Sequence, residues 1–144
     1  MIEYGTIIRI DYLRRCEHMA IQVAAEQMKE YKRTARARAQ ADEQRLSARR
    51  ERAWQLAHQA AAKLKTEYHA QRVVAFGSLT QADRFNRWSD VDIAAWGLTS
   101  ANWLRAGAAV ASLSGDSGIE INLVDVECCS PELLAAIERD GVTI

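Results

Sequence analysis

Apolar residues follow two different patterns along this chain, one before and one after about residue 70. In the first part they recur every three or four positions, which is the spacing of one face of an α-helix. One apolar stripe consists of Tyr12, Cys16, Met19, Val23 and Gln27/Met28, and another of Trp54, Ala57, Ala61 and Leu64. The pattern predicts an arm helix over about residues 9–38 and a second helix over about residues 42–67. Because Ala, Arg, Gln and Glu all favour helices, one continuous helix fits the sequence as well.

Short apolar runs of strand length follow, and turn residues separate them. They predict strands over about residues 72–76, 91–96 and 119–126. Thr99 or Ser100 is expected to cap one helix, and Ser130 a last helix that ends at Gly141. Residues 142–144 add a short edge strand. We therefore expect an α/β (α+β) fold, in which a small mixed sheet is flanked by helices on one side and is preceded by a long N-terminal helical arm.

Length and charge are consistent with one small domain and an appendage. We expect an arm over residues 1–41 and a globular domain over residues 42–144, and the apolar fraction of 49% is sufficient for a core. The formal net charge is zero, but residues 1–68 carry fourteen Lys and Arg against nine Asp and Glu, whereas residues 69–144 carry five against ten. A basic half of this kind suits a polyanion; alternatively, the two halves pack against each other or against a partner.

The candidate chemistry lies in Gly77-Ser78 and in Asp90-Val91-Asp92, and eleven residues separate Ser78 from Asp90. A Gly-Ser turn directly after a strand presents backbone N–H groups and a hydroxyl that can cradle a phosphate. Asp90 and Asp92, at alternate positions of a strand, project from one face about 6–7 Å apart at their Cα atoms. Two carboxylates in this arrangement suit a hard divalent cation, which also binds phosphate oxygens. The alternative interpretation, a surface turn followed by an edge strand, does not explain two acids at the start of an apolar strand.

The order strand, Gly-Ser, linker, Asp-x-Asp, strand resembles the core of the minimal nucleotidyltransferases, within the polymerase-beta-like superfamily. The resemblance covers about residues 50–144, including the later runs 121–125 and 130–134. It implies a polymerase-beta-like nucleotidyltransferase core that transfers a nucleoside monophosphate from a triphosphate, ATP being expected, to a hydroxyl with the help of Mg²⁺. It also implies that Gly77 and Ser78 hold the triphosphate and that Asp90 and Asp92 hold the metal.

The sequence departs from this family at the third acid. The family has an aspartate in a later strand, and the matching residue here is Asn122. An amide oxygen can bind a cation but cannot accept the proton of a nucleophile, and general-base assistance contributes about 10²–10⁴-fold in rate. The linker departs as well, because it has eleven residues where the family pattern has ten and lacks the usual Ala-Arg-Gly after Gly-Ser.

Two neighbouring acids are candidates to replace the missing carboxylate. Glu120 lies two residues before Asn122 and therefore on the same strand face. Its alternative interpretation is a solvated acid at the strand entrance. Asp125 falls on the opposite face of a regular strand and is expected to be a strand-end or capping residue.

Three residues of the linker could act on a bound nucleotide. Arg84 and Arg87 could neutralise phosphate charge, because the planar guanidinium binds phosphate well. Trp88 could stack on a base, and its alternative interpretation is a loop anchor. The three His residues have no metal-ligand spacing and are expected to be surface or core residues.

Cysteine usage and hydropathy indicate a cytoplasmic protein. Cys16, Cys128 and Cys129 form neither a disulfide framework nor a metal motif, which fits a reducing compartment. No apolar run approaches the length that spans a membrane, and the N-terminus lacks a signal-peptide pattern.

Three functions fit these observations. The first is a Mg²⁺-dependent nucleotidyltransferase that acts on a protein or RNA hydroxyl, which the resemblance links to a helical toxin partner of the HEPN type. The second is a weakened or inactive homologue that acts by binding nucleotide or a partner, as Asn122 suggests. The third is a small-molecule nucleotidyltransferase of the aminoglycoside-modifying type, which the short chain disfavours. The arm could form a homodimer or bind a partner helix, and RNA could bind its basic residues Lys32, Arg33, Arg36 and Arg38.

Overall fold

The computed structural model of the chain describes residues 4–144, except for the side chains of residues 4–14, 16, 18 and 20. The chain consists of two compact units, Met1–Gln44 and Arg45–Ile144. The expected division into an arm of residues 1–41 and a domain of residues 42–144 stays a prediction.

The N-terminal part of the chain forms a single helix, α1, over Tyr4–Glu67. The predicted interruption near residue 40 is wrong and the alternative of one continuous helix is confirmed, because the polar segment there contains neither Gly nor Pro and consists of good helix formers. Of the predicted arm stripe, Met19, Val23 and Met28 are exposed. Tyr12 and Cys16 have side chains outside the described residues.

Four strands form one mixed sheet in the second unit. They are β1 (Arg72–Phe76), β2 (Val91–Trp96), β3 (Ile121–Asp125) and β4 (Val142–Thr143), in the spatial order β3-β2-β1-β4. Strand β1 pairs antiparallel with both β2 and β4, whereas β2 and β3 are parallel. The helices are α2 (Ser100–Ala111) and α3 (Pro131–Asp140), and 3₁₀ turns cover Gly77–Thr80 and Ser112–Ser117. This mixed architecture confirms the predicted fold class.

Apolar side chains cover both faces of the sheet. On one face, Val73 and Ala75 pack in a core with residues of α1 and α2, such as Leu56 and Val110. On the other face, Val74 packs with Ala94 of β2 and Ile137 of α3, and Leu133 lies against the same cluster. The expectation of helices on one side only is therefore wrong. Because successive strand residues point to opposite faces, a strand as continuously apolar as β1 requires cover on both.

Within the described residues, no helix is both long enough and apolar enough to cross a membrane. Cys128 and Cys129 are free thiols.

Candidate functional site

The Gly-Ser turn begins where β1 ends, and its backbone lies against Asp92. Gly77 has φ +73°, in the left-handed region that favours glycine. A Cβ atom added to Gly77 would lie 2.9 Å from Asp92 Oδ2. The register explains this proximity, since Phe76, the residue before Gly77, is paired with Asp92 across the β1–β2 ladder. The antiparallel pairing thus brings the predicted phosphate turn and the predicted metal ligand together.

The turn itself is held by its own polar groups. The Thr80 hydroxyl donates to the Gly77 carbonyl oxygen at 2.9 Å, and the Gln81 amide donates to the Ser78 carbonyl oxygen at 3.2 Å. No hydrogen bond engages the Ser78 hydroxyl within the described residues, and Ser78 is only partly buried. The Ser78 hydroxyl is therefore free to contact a ligand.

Asp92 is the centre of the polar cluster. In the parallel β2–β3 ladder it is paired with Asn122, whose Nδ2 donates to Asp92 Oδ1 at 3.1 Å. Burial raises the pKa of Asp92, the hydrogen bond from Asn122 opposes that change, and the nearby charge of Asp90 raises the pKa further. A cation bound between the two aspartates would offset both the energetic cost of burying the Asp92 charge and the repulsion between Asp92 and Asp90.

Glu120 directly precedes β3, and Asp125 is the last residue of that strand. The Glu120 carbonyl oxygen accepts from the Val91 amide at 2.9 Å, at the start of the parallel pairing. Asp125 Oδ1 accepts from the Glu127 amide at 3.0 Å, which confirms its expected role at the strand end. Among the described residues, no three His, Cys, Asp or Glu side chains are grouped so that they could hold a metal ion. The assignment of Glu120 as a third carboxylate stays a prediction.

The donor set nevertheless fits Mg²⁺. Two neighbouring carboxylates, Asp90 and Asp92, and the amide of Asn122 supply the hard oxygen ligands that this ion prefers. Mg²⁺ binding by one or two carboxylates, with phosphates and waters filling the other positions, is the usual arrangement in nucleotide sites. The Gly77 turn lies beside Asp92, where such a phosphate would have to sit.

The linker between the turn and β2 is ordered by side-chain caps. The Asn86 amide donates to Ser89 Oγ at 2.9 Å, and the Trp88 amide donates to Asn86 Oδ1 at 2.8 Å. The Trp88 side chain is 77% exposed, and the guanidinium of Arg87 lies 5.0 Å from the centre of its ring. Trp88 thus projects into solvent two residues before Asp90, and its base-stacking role stays a prediction.

The linker residue Arg84 lies near Asp140, the last residue of α3. The hydrogen bond from Arg139 lowers the pKa of Asp140, and the nearby charge of Arg84 lowers it further. Within the described residues, no hydrogen bond or ion pair joins Arg84 or Arg87 to the Gly-Ser turn or to the aspartates. Their assignment to phosphate binding stays a prediction.

Sequence reasoning missed Arg49 and Arg50 of α1, whose side chains donate hydrogen bonds to the backbone of the loops around the candidate site. Arg49 Nη2 donates to the carbonyl oxygens of Ser89 and Gly118, and Arg50 donates to the carbonyl oxygen of Leu79. A signal was available, because Arg49 lies four residues before Ala53, on the helix face that becomes the buried stripe. A charged residue in line with a buried stripe indicates a buried partner.

Comparison with known proteins adds little to this geometry. No protein-family model matches the sequence, and no curated protein matches it either. Among solved structures, one described as a toxin-antitoxin with AMP-PNP is 25% identical, with a TM-score of 0.45 over 59% of this chain and 69% of that chain. Another, a mutant of the toxin-antitoxin MntA-HpeT, is 24% identical, with a TM-score of 0.43 over 58% of this chain and 67% of that chain. A TM-score below 0.5 does not establish a shared fold, so the function is argued from the site itself.

Proposed function

We propose that this chain is a Mg²⁺-dependent nucleotidyltransferase, which transfers a nucleoside monophosphate from a nucleoside triphosphate, ATP being the expected donor, to a hydroxyl of a protein or RNA. One observation carries the proposal. The backbone of Gly77 lies against the carboxylate of Asp92, so that a strand-end turn suited to phosphate meets a pair of aspartates suited to a cation. The alternative of a surface turn followed by an edge strand is disfavoured, because β2 lies between β1 and β3 within the sheet.

Each residue has a separate role in the proposed reaction. Asp90 and Asp92 hold the cation, and the N–H groups of the turn together with the Ser78 hydroxyl bind the triphosphate. Mg²⁺, when bound, would neutralise phosphate charge and polarise the phosphoryl oxygens. Asn122 holds Asp92 in place through its amide, but it has no group that can take the proton of the acceptor hydroxyl.

Asn122 favours a second candidate function, a protein that binds nucleotide or a partner without turnover. The family resemblance places an acid at this position, and the Asn122 amide instead donates to Asp92 Oδ1 at 3.1 Å. Loss of general-base assistance alone would slow transfer by about 10²–10⁴-fold. Such a protein would keep the nucleotide site and act through occupancy.

The proposal includes a protein partner for the arm. The arm segment of α1 exposes large apolar side chains, namely Met19, Ile21, Val23, Met28 and Tyr31. An exposed apolar surface on a helix is commonly covered by another helix. The proposed occupant is a helical HEPN-type protein, as the resemblance implies, or a second copy of this chain. The basic residues between Lys29 and Arg38 provide a further surface, for RNA phosphate.

Transfer of label from α-labelled ATP in the presence of Mg²⁺ tests the proposed reaction. Wild type, Asp90→Ala and Asn122→Asp are compared, each with and without cell extract as a source of acceptor. Asp116→Ala, which removes an exposed acid outside the site, is the matched control. We expect wild type and the control to label an acceptor equally, Asp90→Ala to label none, and Asn122→Asp to label it faster, by up to the order of 10²-fold if the new carboxylate acts as a base.

The outcomes separate the two candidate functions. Labelling by Asn122→Asp alone would show that the native chain binds nucleotide without transferring it. Absence of label from all variants, together with absence of ATP binding, would overturn both. Equal labelling by wild type and Asp90→Ala would overturn the assignment of the metal ligands.

A further inference from the structure

Two consecutive arginines of α1 hold the backbone loops from which the site is built. Arg49 Nη2 donates to the carbonyl oxygens of Ser89 and Gly118, at 3.0 Å each. Arg50 donates to the carbonyl oxygen of Leu79 through Nε at 3.3 Å and through Nη2 at 3.1 Å. Within the described residues neither arginine forms an ion pair with a carboxylate, so backbone carbonyl groups are their partners.

The two carbonyl groups bound by Arg49 lead into adjacent parallel strands. Ser89 directly precedes Asp90, and Gly118 lies two residues before Glu120, whose carbonyl oxygen accepts from the Val91 amide. Parallel strands cannot be joined by a tight hairpin, so no local turn fixes their relative position. A single guanidinium nitrogen bridges the entrances of β2 and β3 instead, next to the place where Asp92 and Asn122 meet.

Arg50 acts on the other half of the site. Leu79 follows Gly77-Ser78 within the same 3₁₀ turn, and its side chain is fully buried. The buried side chain and the Arg50 fork together hold the turn at its third residue. Both arginines are partly buried, and the planar guanidinium presents its donors in a fixed geometry. The two halves of the site are thus attached to one helix through neighbouring residues.

We propose that Arg49 and Arg50 are positioning residues, Arg49 for the metal-binding acids at the start of β2 and Arg50 for the Gly-Ser turn. The proposal deepens the proposed function and rests on it for the identity of the ligands, but the positioning itself is a property of the chain that can be measured without them. The two arginines thereby have a role in a part of α1 for which composition indicates only a polar surface.

Hydrogen exchange of the metal-free protein, followed by NMR, tests the positioning directly. The variants are Arg49→Gln and Arg50→Gln, with Arg52→Gln as the matched control, because the exposed Arg52 side chain hydrogen-bonds only to Gln55 of the same helix within the described residues. We expect Arg49→Gln to speed exchange of the Val91 amide and Arg50→Gln to speed exchange of the Gln81 amide. Exchange of the Ala75 amide, in the central strand, should be unchanged in both.

Metal and nucleotide binding form the second measurement. Mn²⁺ alone, as a spectroscopic substitute for Mg²⁺, is titrated into each variant at a temperature where all are folded. Loss of a residue that orients metal ligands typically weakens metal affinity by about 10–100-fold, and we expect Arg49→Gln to show a loss at the lower end of that range. Arg49→Lys, which keeps the charge and lacks the fork, should be intermediate. Arg50→Gln should keep Mn²⁺ affinity and weaken binding of the Mg²⁺ complex of a non-hydrolysable ATP analogue.

A purely structural role gives a different pattern. It would speed exchange at Ala75 together with the loop amides and leave Mn²⁺ affinity the same in all folded variants, and this result would overturn the proposal. Unchanged exchange at Val91 in Arg49→Gln and at Gln81 in Arg50→Gln would also overturn it. Wild-type protein that binds neither Mn²⁺ nor nucleotide would instead remove the proposed function, and the exchange data would still decide the role of the two arginines.

Discussion

Gly77 shows how one small residue determines whether the site can form. Its φ of +73° costs an ordinary residue about 1–2 kcal/mol, and a Cβ atom there would also lie 2.9 Å from Asp92 Oδ2. We predict that Gly77→Ala lowers the free energy of unfolding by about this backbone cost and, in addition, displaces Asp92 and weakens Mg²⁺–ATP binding. Urea unfolding and calorimetric titration measure the two effects.

Gly115→Ala is the control for Gly77→Ala. Gly115 has a φ of +47°, also in the left-handed region that favours glycine, and a Cβ atom there would meet nothing within 4 Å. The control should lose stability and keep nucleotide binding. Equal binding by both variants would show that the contact between Gly77 and Asp92 is not needed for the site.

At the level of single residues, sequence reasoning identified side chains whose chemistry is local. Gly77 and Asp92 could be selected because turn type and strand alternation place them without knowledge of the fold, whereas Asn122 was selected through the family resemblance. The helical stripe indicates that Arg49 has a buried partner, but it could not identify that partner, since Ser89 and Gly118 lie 40 and 69 residues away. Contacts between a side chain and distant backbone depend on packing, which periodicity does not reveal.

At the level of elements, α3 depends on its N-terminal cap. The Ser130 hydroxyl oxygen accepts from the Leu133 amide at 3.2 Å, and the helix buries Ile137 against the sheet. We predict that Ser130→Ala lowers the free energy of unfolding by about 1 kcal/mol, as measured by urea unfolding. Thr99→Ala is the control, because Thr99 holds the same position before α2 but its side chain makes no capping hydrogen bond. A similar loss in both variants would argue against a role for the hydroxyl.

The same two caps show what local sequence can predict. The cap at Ser130 and the end of α3 at Gly141 agree with the sequence pattern, as do the bounds of β1 and β2. Strand β3 is shorter than predicted at both ends, and at its C-terminal end the turn in which Asp125 accepts from the Glu127 amide sets the limit. The interruption predicted in α1 is absent because polar composition alone does not break a helix. The apolar pattern of α3 does not show which face of the sheet the helix covers, because tertiary packing decides this.

At the level of the whole molecule, the buried core lies within one part of the chain. All described buried apolar residues fall between Ala53 and Ile137, and the second compact unit begins at Arg45. We therefore predict that a fragment of residues 45–144 folds with the same midpoint of urea unfolding as the full chain and retains nucleotide binding, since Arg49 and Arg50 remain. A fragment that is unfolded, or that loses binding, would show that residues 1–44 contribute to the fold.

The fragment also tests what the arm does, because the exposed apolar side chains from Met19 to Tyr31 are absent from it. We expect light scattering after gel filtration to give a dimer for the full chain without a partner and a monomer for the fragment. Met28→Glu should abolish association, since it places a charge on the apolar surface and keeps helix propensity. Gln22→Glu adds the same charge at an exposed position about 120° around the helix from Met28 and should leave the dimer intact. A dimeric fragment would locate self-association in residues 45–144 and leave the arm for a different protein, whereas loss of the dimer in both point variants would attribute the effect to net charge.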